Sequence, residues 1–217
     1  MATSRTIFTG LNKETWEAGL RWVRSTKQSE VTLLVVNMGL EAEHVAKLTE
    51  LGVEVLPNTG KTGVAQVDVF NSLVTQVKDS TFNPTTFLFW DVEVQAESYN
   101  SLWGSVLLCA PLMKDVNIAT LVFPLTAIDS RVKIASRLET EVIEKRGSGF
   151  YAGMIAGKLS EWKLFVGLYN NLVETGVVET LISARNLVLN LFALYFPDHV
   201  ESKPVEYQIS ALQSENQ

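Results

Sequence analysis

The chain has 217 residues, 47% of them hydrophobic and 19% charged. That is enough to bury a substantial core, and the composition excludes a disordered or collagenous chain. A net charge of −6 without a dense Lys/Arg block disfavours a basic nucleic-acid face, and the single cysteine excludes a disulfide framework and Cys-based zinc sites.

Residues 5–9, RTIFT, read as a short strand closed by Gly10. Asn12 then fits a helix N-cap, and Trp16, Leu20 and Val23 recur at helical spacing to about Ser25. Residues 31–37, VTLLVVN, form a β-branched run typical of a strand buried on both faces. Val45, Leu48 and Leu51 mark the next helix, which Gly52 ends, and residues 53–56 give a third strand stopped by Pro57. NTGKTG, residues 58–63, leads into a helix over about 64–77. Residues 86–90, TFLFW, make a buried strand that runs directly into Asp91-Val92-Glu93.

Tyr99, Leu102 and Val106 suggest a further helix, and residues 118–123, IATLVF, a further strand. Residues 142–144 and 150–154 read as sheet on either side of GSG. Leu159, Trp162, Phe165, Val166, Tyr169 and Val173 share one helical face, and a last, largely apolar helix covers about 178–195. The longest unbroken apolar run, residues 106–113, is too short to cross a bilayer. The first ten residues lack a signal-peptide core, so the expected location is the cytoplasm. Strand–helix alternation predicts an α/β fold with a mainly parallel central sheet flanked by helices, one domain over residues 1–212, and a disordered tail at 213–217.

In such sheets ligands bind beyond the carboxyl ends of the strands. The residues to inspect are therefore Thr9 to Asn12, Asn37 to Gly39, Pro57 to Lys61, and Asp91 to Glu93. NTGKTG is not a Walker loop, because the position that needs the first Gly holds Val55. It reads as a turn before a helix, with Lys61 available to face a phosphate. Gly147-Ser148-Gly149-Phe150-Tyr151-Ala152 fits a loose dinucleotide fingerprint, but the charged TEVIEKR before it is not a buried strand. There is no G-x-S-x-G, His44 sits on an exposed helical stretch, and Cys109 within VLLCAPLM reads as core. Trp90, Trp103 and Trp162 read as core rather than as sugar platforms. Asp91 and Glu93 are more informative. In an extended segment, residues two apart point to one side, and two carboxylates at a strand end can hold Mg²⁺ or Mn²⁺ against a diphosphate.

Together these segments resemble glycosyltransferases of the GT-A fold. IFTGLNKETWEAGLRWVRST resembles their opening, and VTLLVVNMGL and VEVLP follow in the family's order. FLFWDVEVQAE falls where the D-x-D metal motif is expected. GSGFYAGMIAGKLSEW and GVVETLISARNLVLNLFALYFPDH resemble the acceptor-side strand and helices.

The resemblance implies a metal-assisted transferase that moves a sugar from a nucleotide-diphosphate donor to a hydroxyl acceptor. Asp91 and Glu93 would ligate Mn²⁺ or Mg²⁺, with His199 as a late metal ligand. Thr9, Gly10, Asn37, Lys61 and Asp91 would bind the nucleotide sugar, and Glu179 would act as catalytic base. Glu stands where the second motif Asp is usual, and no acidic pair marks the acceptor side. Inversion and retention both stay open, as do a catalytically inactive binding or scaffold protein on the same fold and a sugar nucleotidyltransferase.

Overall fold

The computed structural model describes residues 4–26, 31–77, 85–92, 94–95, 118–120, 141, 144–145, 153–175, 184–202 and 208–209. The first half alternates as expected. Strands β1 (Ser4–Leu11), β2 (Thr32–Asn37), β3 (Glu54–Pro57) and β4 (Thr85–Trp90) are separated by helices α1 (Trp16–Thr26), α2 (Ala42–Glu50) and α3 (Ala65–Gln76). Strands β5 (Val94–Gln95), β6 (Ile118–Thr120) and β7 (Met154–Lys158) follow, then helices α4 (Leu159–Glu174) and α5 (Ala184–Tyr195). Strands β8 (Val200–Ser202) and β9 (Gln208–Ile209) come last.

Seven strands form one sheet in the order β3-β2-β1-β4-β7-β6-β8. The first four pair in parallel, with Phe8 opposite both Leu34 and Phe89. Strand β7 is inserted antiparallel between β4 and β6, and β8 pairs parallel to β6. Strands β5 and β9 form a separate two-stranded ladder.

The alternation of side chains along each strand fills two cores. Phe8, Leu34, Val36, Phe87 and Phe89 face one side, where α3, α4 and α5 bring Phe70, Trp162, Phe165 and Phe192. Ile7, Leu11, Leu33, Val35, Leu88 and Trp90 face the other, beneath Trp22 and Val23 of α1 and Leu48 of α2. Period-two strands buried on both faces are what continuous apolar runs such as TLLVVN demand. The buried Trp162 indole donates to the Phe87 carbonyl at 3.1 Å, so α4 is tied to the sheet without an orphaned donor. Trp90 and Trp162 are both core residues.

Asn12 and Thr15 exchange hydrogen bonds, with Thr15 N–H donating to Asn12 Oδ1 at 2.9 Å and Asn12 N–H to Thr15 Oγ1 at 3.0 Å. This reciprocal cap sits just ahead of α1. Gly52, with φ of 74°, ends α2 in the left-handed conformation that glycine tolerates best.

Two sequence expectations need correction. Glu144 is helical, as are Glu141 and Lys145, so the strand expected over 142–144 does not extend to Glu144. Glu141 and Lys145, both exposed, stand at the i,i+4 spacing at which opposite charges support a helix. Strand β7 begins at Met154, where the strand expected over 150–154 was to end, because Ile155 and Ala156 are the residues that fill the two cores. Cys109, Trp103, Glu93, Glu179, the helix expected around 99–106 and the tail from 213 lie outside the described residues. Among those described, no helix is long and apolar enough to cross a membrane.

Candidate active site

Strand order singles out one place on the sheet. From β1 the chain builds outward through β2 and β3, then returns to place β4 on the other side of β1. The carboxyl ends of β1 and β4 therefore flank a topological switch point, where the two connections diverge and leave a crevice. Continuing the β1–β4 register, in which Phe8 faces Phe89, brings Gly10 level with Asp91.

Asp91 is half-buried at this edge, and its backbone N–H donates to the Gly153 carbonyl at 2.9 Å, just before β7. A carboxylate here offers the hard oxygen that Mg²⁺ or Mn²⁺ prefers, so its chemistry fits such an ion. Asn37, at the end of β2, accepts the N–H groups of Gly39 and Leu40 at 3.0 and 2.7 Å through its side-chain oxygen. That turn leaves the Asn37 amide nitrogen at the same edge without a protein partner among the described residues.

Thr9 is buried, 2% exposed, while Gly10 is half-buried at this edge, level with Asp91. A side chain at Gly10 would meet Val69 Cγ2 at 2.3 Å and Met38 Cγ at 3.2 Å, so the missing Cβ admits helix α3. Gly10, Asn12, Asn37, Met38 and Asp91 are all half-buried at this edge.

The loop after β3 is closed on itself. Thr59 N–H donates to Ser72 Oγ, Gly60 N–H to Asn58 Oδ1, and Val64 N–H to Thr62 Oγ1. Asp68, buried in the first turn of α3, accepts from Thr62 N–H at 2.9 Å, Thr62 Oγ1 at 2.7 Å and Gly63 N–H at 3.3 Å. A phosphate-cradling loop presents its amides outward, whereas these donate inward. Lys61 is the exposed cation left at the tip, three strands and roughly 14 Å across from β4. The role of Asp68 was not singled out from sequence, where a first-turn acid is unremarkable.

His199 and Asp91 are not brought together. Val200 lies in register with Ile118, Ile118 with Gly157, and Gly157 with Phe87. His199 therefore stands at the amino edge of β4, roughly 15 Å along and 14 Å across the sheet from Asp91. Its Nδ1 lies 3.1 Å from Oε2 of the buried Glu161 at the start of α4, and its ring meets Phe196 edge-on. That placement replaces the expected ligation beside Asp91 with a link between α4 and the segment entering β8.

Lys13 pairs with Glu41, tying the loop after β1 to the start of α2. The hydrogen bond and charge of Lys13 hold the Glu41 carboxyl below the usual range. Trp16 stacks on His44 with centroids 4.4 Å apart. Glu41, Glu43 and His44 bring ligand atoms within 4.8 Å of one another. Glu41 is already committed to Lys13, and its N–H donates to His44 Nδ1, so the group works as a surface cap rather than as an ion cage.

No protein-family model matches the chain, and no curated protein does. Solved structures do. The galactosyltransferase LgtC, in complex with donor and acceptor sugar analogs, superposes with a TM-score of 0.60 at 13% identity, covering 91% of this chain and 72% of its own. An active-site mutant of LgtC gives 0.57 at 14% identity over 87% and 70%. The glycosyltransferase GlyE of Streptococcus pneumoniae TIGR4 gives 0.56 at 13%, with 94% of this chain covering 45% of GlyE. The chain has the α/β fold of the GT-A glycosyltransferases.

Proposed function

We propose that this chain is a glycosyltransferase that moves a sugar from a nucleotide-diphosphate donor to a hydroxyl acceptor with the help of Mn²⁺ or Mg²⁺. The observation that carries this reading is the placement of Asp91 at the β1–β4 switch point of a GT-A sheet. Asp91 would hold the ion, with Glu93 as the second acid of the pair. When bound, the ion offsets the charge that develops on the leaving diphosphate. The acceptor oxygen bonds to the anomeric carbon as the bond from that carbon to the diphosphate breaks. Glu179 takes the hydroxyl proton if the reaction inverts. The free amide of Asn37 and the cation of Lys61 serve the nucleoside end of the donor, away from Asp91.

A thermal-shift screen of nucleoside diphosphates with and without Mn²⁺ tests the reading, since a ligand that binds only the folded state raises the midpoint. The expected result is a larger shift with metal, lost in Asp91→Asn while the unliganded midpoint stays put. No shift from any diphosphate with either metal sinks the donor site. Donor hydrolysis with Mn²⁺ then separates a transferase from a scaffold that only binds. Formation of a sugar nucleotide from a triphosphate and a sugar phosphate would instead favour a nucleotidyltransferase.

A further inference from the structure

The Asp91 turn is anchored on two sides by parts of the chain far from it in sequence. On one side, Asp91 N–H donates to the Gly153 carbonyl. On the other, β5 starts at Val94, three residues past Asp91, and pairs antiparallel with β9 as Val94 with Ile209 and Gln95 with Gln208. Strand β8, which precedes β9, runs in the same direction as β4, because β7 is antiparallel to both β4 and β6. The chain therefore leaves Ser202 at the carboxyl edge of the sheet, the edge that holds Asp91. Six residue steps to Gln208 reach about 20 Å, more than the roughly 14 Å across three strand spacings to β4.

A ladder of two residue pairs is marginal in water by itself. It contributes few hydrogen bonds, and it costs the ordering of both segments. Its position gives it an effect beyond stability, because it fixes the backbone that follows the acid.

We propose that β9 is a strap that positions the Asp91 turn for the metal–diphosphate, so that strap docking and donor binding strengthen each other. The proposal rests on the donor-site reading above. Gln208 and Ile209 act through the turn and do not touch the reacting atoms. Coupling between sites is reciprocal, so a ligand that needs the turn ordered must also favour the docked strap.

The test uses the full chain and the double variant Gln208→Pro/Ile209→Pro, which removes both backbone N–H donors of β9. Hydrogen exchange is followed at Val94 and Gln95, with and without Mn²⁺ and each of ADP, CDP, GDP and UDP. In the wild type, the bound diphosphate slows exchange in β5 and β9 and leaves β1 unchanged. In the variant, Val94 and Gln95 exchange faster, the main sheet melts as in wild type, and the Mn²⁺-dependent affinity falls about 5–150-fold. The milder Gln208→Ala/Ile209→Val, which keeps the ladder donors, restores that affinity. Equal diphosphate affinity in wild type and Pro variant overturns the strap. If no diphosphate binds the wild type, the donor reading fails and the coupling falls with it, whereas unchanged Val94 and Gln95 rates in the Pro variant overturn the strap alone, whatever the donor does.

Discussion

Glu41 is an exposed acid whose titration reports chiefly its contact with Lys13. The hydrogen bond from Lys13, and then its charge, hold the Glu41 carboxyl low, and His44 adds a smaller push in the same direction. A carboxyl depressed on folding contributes stability that is present above its unfolded value of about 4.3 and is lost as pH falls through the lower folded value. The contribution therefore disappears on the acid side of about pH 4 and is constant at neutrality. Lys13→Met should move the Glu41 midpoint, followed by side-chain carboxyl NMR, up towards that ordinary value. An unmoved midpoint would show that Lys13 does not hold Glu41 in solution. Neither partner was legible as a pair in the sequence, since 28 positions separate them and only the juxtaposed ends of β1 and β2 bring them together.

Helix α3 and the loop before it behave as one element. Asp68 is 5% exposed, and one loop supplies all three of its donors. Asp68→Ala leaves Thr62 and Gly63 with unmet donors and should cost about 1–3 kcal/mol. That corresponds to a melting-point drop of roughly 2–12 °C for a chain of this size. Asp68→Asn keeps the shape and one oxygen, and should cost less. If both variants melt as wild type does, the loop is not organised by this carboxylate.

The same loop shows how far sequence reading reaches at this scale. Strands β2 and β4 announce themselves as apolar runs, and β1 and β3 as shorter ones bounded by Gly10 and Pro57, while Asp91 is visible as an acid directly after β4. The inward turn of the loop amides is invisible, because it depends on an aspartate one turn into the next helix. The antiparallel insertion of β7 is equally hidden, since residues such as Ile155 and Ala156 suit either strand direction. His199 was read from its position late in the chain, but strand register carries it to the opposite edge, beside Glu161.

At the scale of the whole molecule, one sheet separates two cores, and the question is whether they melt together. Phe70 is fully buried at the centre of the larger core, with the rings of Phe8, Phe89, Trp162, Phe165 and Tyr169 at centroid distances of 6.2, 5.0, 5.3, 5.9 and 6.1 Å. Leu48 is fully buried in the smaller core, under α2. Phe8 and Ile7 are neighbours on one strand yet belong to different cores, so neither core can lose its order without disturbing the backbone that carries the other. Chains beyond about 150 residues often unfold through intermediates, but this shared sheet predicts a single transition. Phe70→Ala should cost about 3–5 kcal/mol and Leu48→Ala about 2–5 kcal/mol. Each is a large share of a total stability of about 5–15 kcal/mol. The two sites lie on opposite faces of the sheet without a shared partner, so their costs should add in the double variant to within about 0.5 kcal/mol. Calorimetry on all three variants, with hydrogen exchange at α2 and α4, decides the matter. One transition that moves as a whole, with Phe70→Ala speeding exchange in α2 as well as α4, is the expected result. A melt that splits in two, or α2 amides indifferent to Phe70→Ala, would show that the smaller core unfolds independently.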